Sequence, residues 1–168
     1  MESVRLFLAN DIIKAHEKAV GQTHRTYNRI ARKEFLGFAK KRKTGKKEIR
    51  AIKKTQLQHL RRNIRQAEEV MQALQTDKKN GELTLVGRQN QKAFKTLKHK
   101  LGIAKLIYSQ QSDLYQGKEI TDRIVSFHRP NIRPVFRGKA QKKTEFGVKA
   151  ELSLVGKALV IGKISYTN

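Results

Sequence analysis

Leu57, Leu60, Ile64, Ala67, Met71 and Leu74 recur at alternating steps of three and four within the segment Lys47 to Gln75. That alternation is the a/d seam of a helix pressed against another helix, so the segment is an amphipathic rod that needs a partner. The sequence supplies one. Phe94, Leu97, Leu101, Ala104, Tyr108 and Tyr115 repeat the seam across Gln89 to Tyr115, with Gln111 as its polar exception. Between the two lies Asp77-Lys78-Lys79-Asn80-Gly81, a turn signature in which Asn80-Gly81 can take left-handed geometry, followed by Glu82 to Gly87 as a brief extended piece. Two seams joined by a short link predict a long antiparallel helical hairpin over 46–118, each stripe burying the other.

Ahead of the hairpin, Val4, Phe7, Leu8, Ile12, Ala15 and Ala19 keep near-helical spacing, which predicts a helix over 2–20 with Asn10-Asp11 interrupting it as a cap. Gly21-Gln22-Thr23 reads as a break. Thr26 to Lys43 then carries Tyr27, Ile30, Ala31, Phe35 and Phe38 on one side, with Arg25, Arg29, Arg32, Lys33 and Lys40 around them. Asp11 to Phe38 fits a helix-turn-helix with Gly21 in its turn, and equally an ordinary pair of packed helices. Residues 1–45 therefore read as a basic helical region suited to DNA. The block Lys40 to Lys47 is dense in like charge, and reads either as a solvated loop or as a phosphate-binding one through Lys41, Arg42 and Lys43.

Charge decides the class of partner. A formal net charge of +24 on 168 residues repels itself strongly unless a polyanion neutralises it, and nucleic acid is the first expectation. No apolar run reaches the roughly 18 to 20 residues of a membrane span, so no membrane partner is expected. The opening MESVRLFLAN lacks the apolar length and cleavage site of a secretory signal, and a cytoplasmic location is expected. Cysteine is absent, which removes disulfides, thiolate metal sites and a cysteine nucleophile. His16, His24, His59, His99 and His128 are scattered with no zinc-ligand spacing. Gly45-Lys46 lacks the flanking residues of a nucleotide-binding loop.

Beyond the hairpin the pattern changes. Ile120 to Phe127 is a short β-branched run enclosing Asp122, and reads as a strand with an acid inside it. His128 to Lys143 holds both prolines, Pro130 and Pro134, and reads as a basic loop. Glu145 to Val155 alternates with period two, placing Phe146, Val148, Ala150, Leu152 and Leu154 on one face of a strand. Gly156-Lys157 suits a tight turn into a final antiparallel run, Ala158 to Tyr166. About three strands are thin for an independent sheet, and the chain is expected to end mid-domain.

Four sequence words in this part carry a resemblance: Asp122-Arg123-Ile124-Val125-Ser126, Arg133-Pro134-Val135, Arg137-Gly138-Lys139-Ala140 and Glu145-Phe146-Gly147-Val148-Lys149. Together they resemble the start of the catalytic domain in a group of bacterial insertion-sequence transposases of the DDE type. The resemblance implies an RNase H-like fold whose first three strands form an antiparallel meander. It implies that Asp122 is the first catalytic, metal-binding acid and that Mg²⁺ is the cofactor. It also implies that Arg129, Arg133, Arg137 and Lys139 contact the phosphates of a transposon end. The remaining acids of such a triad would follow the third strand, so 119–168 reads as the truncated start of the catalytic domain.

The expected class is thus α+β: a basic helical N-terminal region, a long helical hairpin, and the first antiparallel strands of an incomplete RNase H-like domain. Two functional readings follow. In one, the chain is the amino-terminal portion of a DDE transposase that binds DNA, with Arg61 and Arg62 of the first long helix among its phosphate contacts. It carries only the first catalytic acid, so it neither nicks nor joins strands, and it self-associates through the hairpin or stays single. In the other, it is a non-enzymatic RNA-binding protein of ribosomal or ribosome-associated type, which suits the charge and size equally well.

Overall fold

A computed structural model describes residues 1–20, 23–79, 88–136, 144–147, 149–156 and 158–165. The chain divides into two compact units, Met1–Lys118 and Glu119–Asn168. The first unit is helical, so the basic region and the long hairpin belong to one body. Its elements are α1 (Glu2–Phe7), a π-helical stretch (Leu8–Ile13), α2 (Lys14–Val20), α3 (Asn28–Ala39), α4 (Lys46–Lys79) and α5 (Arg88–Tyr115).

α4 is the axis of this unit. Leu57, Leu60, Ile64, Ala67 and Met71 of the seam are buried, joined by Val70. On α5 the buried residues are Leu101, Ala104 and Ile107, so the stripe includes Ile107 as well as the half-buried Tyr108. The two helices are antiparallel: the Arg50 guanidinium lies 4.8 Å over the Tyr115 ring, while further along Lys105 Nζ pairs with Glu68 at 2.5 Å. The link expected at 80–87 lies outside the described residues.

Asn10-Asp11 does not cap the first helix. The chain runs through these residues in π-helical geometry, and the pattern of burial gives the reason. Val4, Leu8, Ile12 and His16 are buried, as are Arg5, Ala9 and Ile13: each row steps by four. A step of four overshoots the 3.6-residue α-turn by about 40° each time. The wider i→i+5 turn takes up that excess and keeps both rows on one face.

α3 docks on α4 largely through amides. Gln56 Nε2 donates to the Ala31 carbonyl at 2.9 Å, Asn63 Nδ2 to Asn28 Oδ1 at 3.4 Å, and Gln66 Nε2 to the Arg25 carbonyl at 3.3 Å. All three amide side chains are buried, one heptad and then three residues apart along the flank of the apolar seam. They hold the irregular segment 23–27 and the start of α3 like rungs. Asn28 also accepts from Arg5 Nη1, at 3.1 Å on its carbonyl and 2.8 Å on its side chain. Arg5 is 1% exposed. Burial pushes its guanidinium below its ordinary pKa, with Glu2 and Glu34 opposing that shift and Arg32 adding to it.

The second unit departs further from expectation. No strand forms over 120–127: Thr121 and Asp122 lie in one bend, Phe127 enters another, and the residues between are irregular. The burial explains it, since Ile124 and Phe127 go inside and sit three apart, a spacing that a period-two strand cannot place on one face. Ser126 Oγ then accepts from the Arg129 amide at 3.2 Å, and the Ile132 amide closes a β-turn on the Arg129 carbonyl at 3.1 Å with Pro130 at the favoured second position.

The basic connection is not all loop either, because β1 (Arg133–Phe136) forms within it and pairs antiparallel with β2 (Thr144–Gly147), Pro134 opposite Phe146. A two-stranded ribbon has only edge strands, where proline is tolerated. The period-two run divides around residue 148, which lies outside the described residues. β3 (Lys149–Val155) pairs with β4 (Ala158–Ser165) as a separate two-stranded sheet. The expected hairpin is present, with Gly156 at φ 63°. Leu152 and Leu154 of the expected inward face are exposed. A register shift between Glu151 and Leu152 interrupts the ladder. The structure is therefore α+β, with two antiparallel ribbons where a three-stranded meander was expected.

Candidate nucleic-acid interface

From Ile49 to Ala67 α4 contains no acidic residue. Lys47, Arg50, Lys54, Arg61 and Arg65 are exposed, at spacings that set them on the side of the helix away from Leu60, Ile64 and Ala67. At 1.5 Å per residue, Lys47 to Arg65 spans about 27 Å. Lys53 is exposed as well. Of the acids at the two ends of this stretch, Glu48 is engaged with Lys41 and Glu68 with Lys105, and Glu69 alone meets the stripe, at an exposed 3.6 Å contact with Arg65. The stripe thus presents a row of cations with little internal neutralisation.

Arg61 and Arg62 share one cleft with Gln58, Ile64, Arg65 and Glu68. Arg62 is fixed from a distance in sequence: its guanidinium carbon lies 4.5 Å over the ring of Tyr27. Tyr27 is the one non-glycine among the described residues with positive φ, at 53° with ψ 20°. That left-handed conformation costs roughly 1–2 kcal/mol for a residue with a Cβ. Its carbonyl begins the α3 ladder, accepting from the Ala31 amide at 3.0 Å. The Tyr27 ring also lies 6.5 Å from the ring of His59, whose Nε2 is 3.2 Å from Glu34 Oε2.

α3 adds a second basic face. Arg29, Arg32, Lys33 and Lys40 are exposed, Ala31 alone of its residues is fully buried, and its acid Glu34 is turned to His59. The connection from α2 to α3 spans 21–27, longer than the three or four residues of a helix-turn-helix turn. In the link from α3 to α4, Arg42 and Lys43 are exposed and Lys41 is paired with Glu48.

The residues implied by the resemblance are distributed differently. Asp122 is exposed in its bend and Arg129 is exposed in the β-turn. Arg133 opens β1, while Arg137 and Lys139 lie outside the described residues. Among the described residues no group of three or more His, Cys, Asp or Glu side chains is placed to hold a metal ion. A two-metal phosphoryl-transfer site needs several carboxylates converging on ions about 4 Å apart. Asp122 in an exposed bend does not fit that requirement by itself. Among the described residues no helix is long and apolar enough to cross a membrane.

The residues that sequence reasoning missed are Tyr27, Gln58 and the buried amides Gln56, Asn63 and Gln66. The amides carried a signal, a heptad step between Gln56 and Asn63 on the flank of the apolar seam. No family model matches the chain, and neither the curated proteins nor the solved structures give a match.

Proposed function

We propose that this chain binds duplex DNA through the solvent face of its helical unit, as part of a DDE-type transposase. The observation that carries the binding is the α4 stripe, a cationic row whose acid-free part from Arg50 to Arg65 is about 22 Å long, on a rod whose opposite side is held by α1, α3 and α5. Lys and Arg on a stiff helix neutralise backbone phosphates and release counterions, which gives affinity without sequence choice. Arg29 and Lys33 of α3, with Lys40 just past its end, extend the cationic surface of the same unit. The transposase assignment rests on the four sequence words between Asp122 and Lys149. In this reading Asp122 performs no chemistry alone, and the chain's part is to hold DNA.

A competition experiment separates this reading from ribosome-associated RNA binding. The purified chain is bound to a fluorescent DNA duplex of about 30 base pairs and challenged with unlabelled duplex or with a structured RNA of equal phosphate count. The duplex is expected to displace the probe at equal or lower concentration than the RNA. Displacement by RNA at a tenth of the duplex concentration would assign the basic face to RNA instead.

A further inference from the structure

Gln58, Arg61, Arg62 and Arg65 occupy positions i, i+3, i+4 and i+7 of α4 and line one cleft, the diamond of neighbours on a helix surface. All four border that cleft, so an anion entering it meets three guanidinium-bearing side chains and one amide. Glu68, the carboxylate at its rim, is paired with Lys105, and Glu69 offsets Arg65 only at an exposed 3.6 Å contact. Among the described residues Arg61 and Arg62 have no acidic partner.

Arg62, like Arg50 over Tyr115, is held before any ligand arrives, and of the two only Arg62 lines the cleft. Tyr27, brought there by a left-handed backbone at the start of α3 and by the amide rungs that pin segment 23–27, supports its guanidinium from one side. A guanidinium lying on a ring keeps its edge N–H donors free, and phosphate oxygens take such donors in forked fashion. The strained conformation thereby has a use: it sets a ring under one particular arginine.

We propose that this cleft is an anchor site for a single backbone phosphate of duplex DNA, gripped jointly by Arg61 and Arg62, with Tyr27 as the residue that positions Arg62. The inference rests on the DNA-binding reading above and adds that the contact in this cleft is pre-shaped. Such an anchor fixes where along the backbone the protein sits.

The test is a set of salt titrations of duplex binding by fluorescence anisotropy on Arg61→Ala, Arg62→Ala, their double variant, Tyr27→Leu and Tyr27→Phe, with the far-UV helix signal checked for each. If both arginines grip one phosphate, the double variant flattens the log–log salt slope by about 0.9 in total; two independent phosphates would flatten it by about 1.8. Tyr27→Leu is expected to weaken binding about threefold, Phe to restore what Leu loses, and Leu to have no further effect once Arg62 is Ala. A flattening near 1.8, or an undiminished Tyr27→Leu effect in the Arg62→Ala background, overturns the anchor while leaving DNA binding intact. Failure of the unsubstituted chain to bind duplex would instead remove the DNA-binding reading itself.

Discussion

Raising the salt from about 50 mM to about 200 mM weakens binding of this chain to duplex DNA about 500-fold, if the five cations of the α4 stripe each neutralise one phosphate. The figure follows from the counterions that five contacts release: a log–log slope near −4.5, applied over a fourfold change in salt. It uses only Lys47, Arg50, Lys54, Arg61 and Arg65, which are exposed on one long helix. Further contacts from Arg29, Lys33 or Arg42 would steepen it. Anisotropy titrations at four or five salt concentrations give the slope directly. A slope shallower than about −2 would mean that the stripe does not lie along the backbone.

Leu60→Ala is expected to lower the unfolding free energy of the helical unit by about 3 kcal/mol, read from urea titration of its far-UV helix signal. Leu60 is 0% exposed and lies midway along the α4 seam, between Leu57 and Ile64. Removing its branched end takes away transfer energy and leaves a cavity that rigid helices fill poorly. Leu106, on α5, is 50% exposed and serves as the comparison: Leu106→Ala should change stability by less than about 0.5 kcal/mol. Equal losses at the two sites would contradict the burial assigned to the seam.

What the sequence made legible was whatever packing dictates through a repeating period. The α4 and α5 seams had to be apolar at steps of three and four, because each of the two long helices covers the other along that stripe, and the buried set reproduces most of it. The π-helical stretch was encoded too, in two rows with a step of four, but a pattern near helical spacing hides the overshoot. The amide rungs were harder. Gln56, Asn63 and Gln66 look like a solvated face, and only their partners at Arg25, Asn28 and Ala31, more than twenty residues away, make them interior.

The same limit governs the interface. Composition and charge marked α4 as cationic, yet nothing local to Arg62 shows that Tyr27 lies beneath it. Ile120 to Phe127 misled for a different reason. Its β-branched residues favour a strand, but Ile124 and Phe127 are the two that become buried, and their spacing bends the chain so that Asp122 falls outside any ladder. Pro134 misled in the opposite sense, since a proline in a basic segment suggests a loop, whereas an edge position accepts it in a strand.

The central claim is that the acid-free face of α4 grips duplex DNA. Its most direct measurement is the equilibrium affinity of the triple variant Lys54→Glu/Arg61→Glu/Arg65→Glu for the same duplex of about 30 base pairs at about 100 mM salt, beside the unsubstituted chain. Loss of at least about 100-fold in affinity with the helix signal unchanged is the predicted result. Affinity within about threefold of the unsubstituted chain would contradict it and move the binding surface off α4.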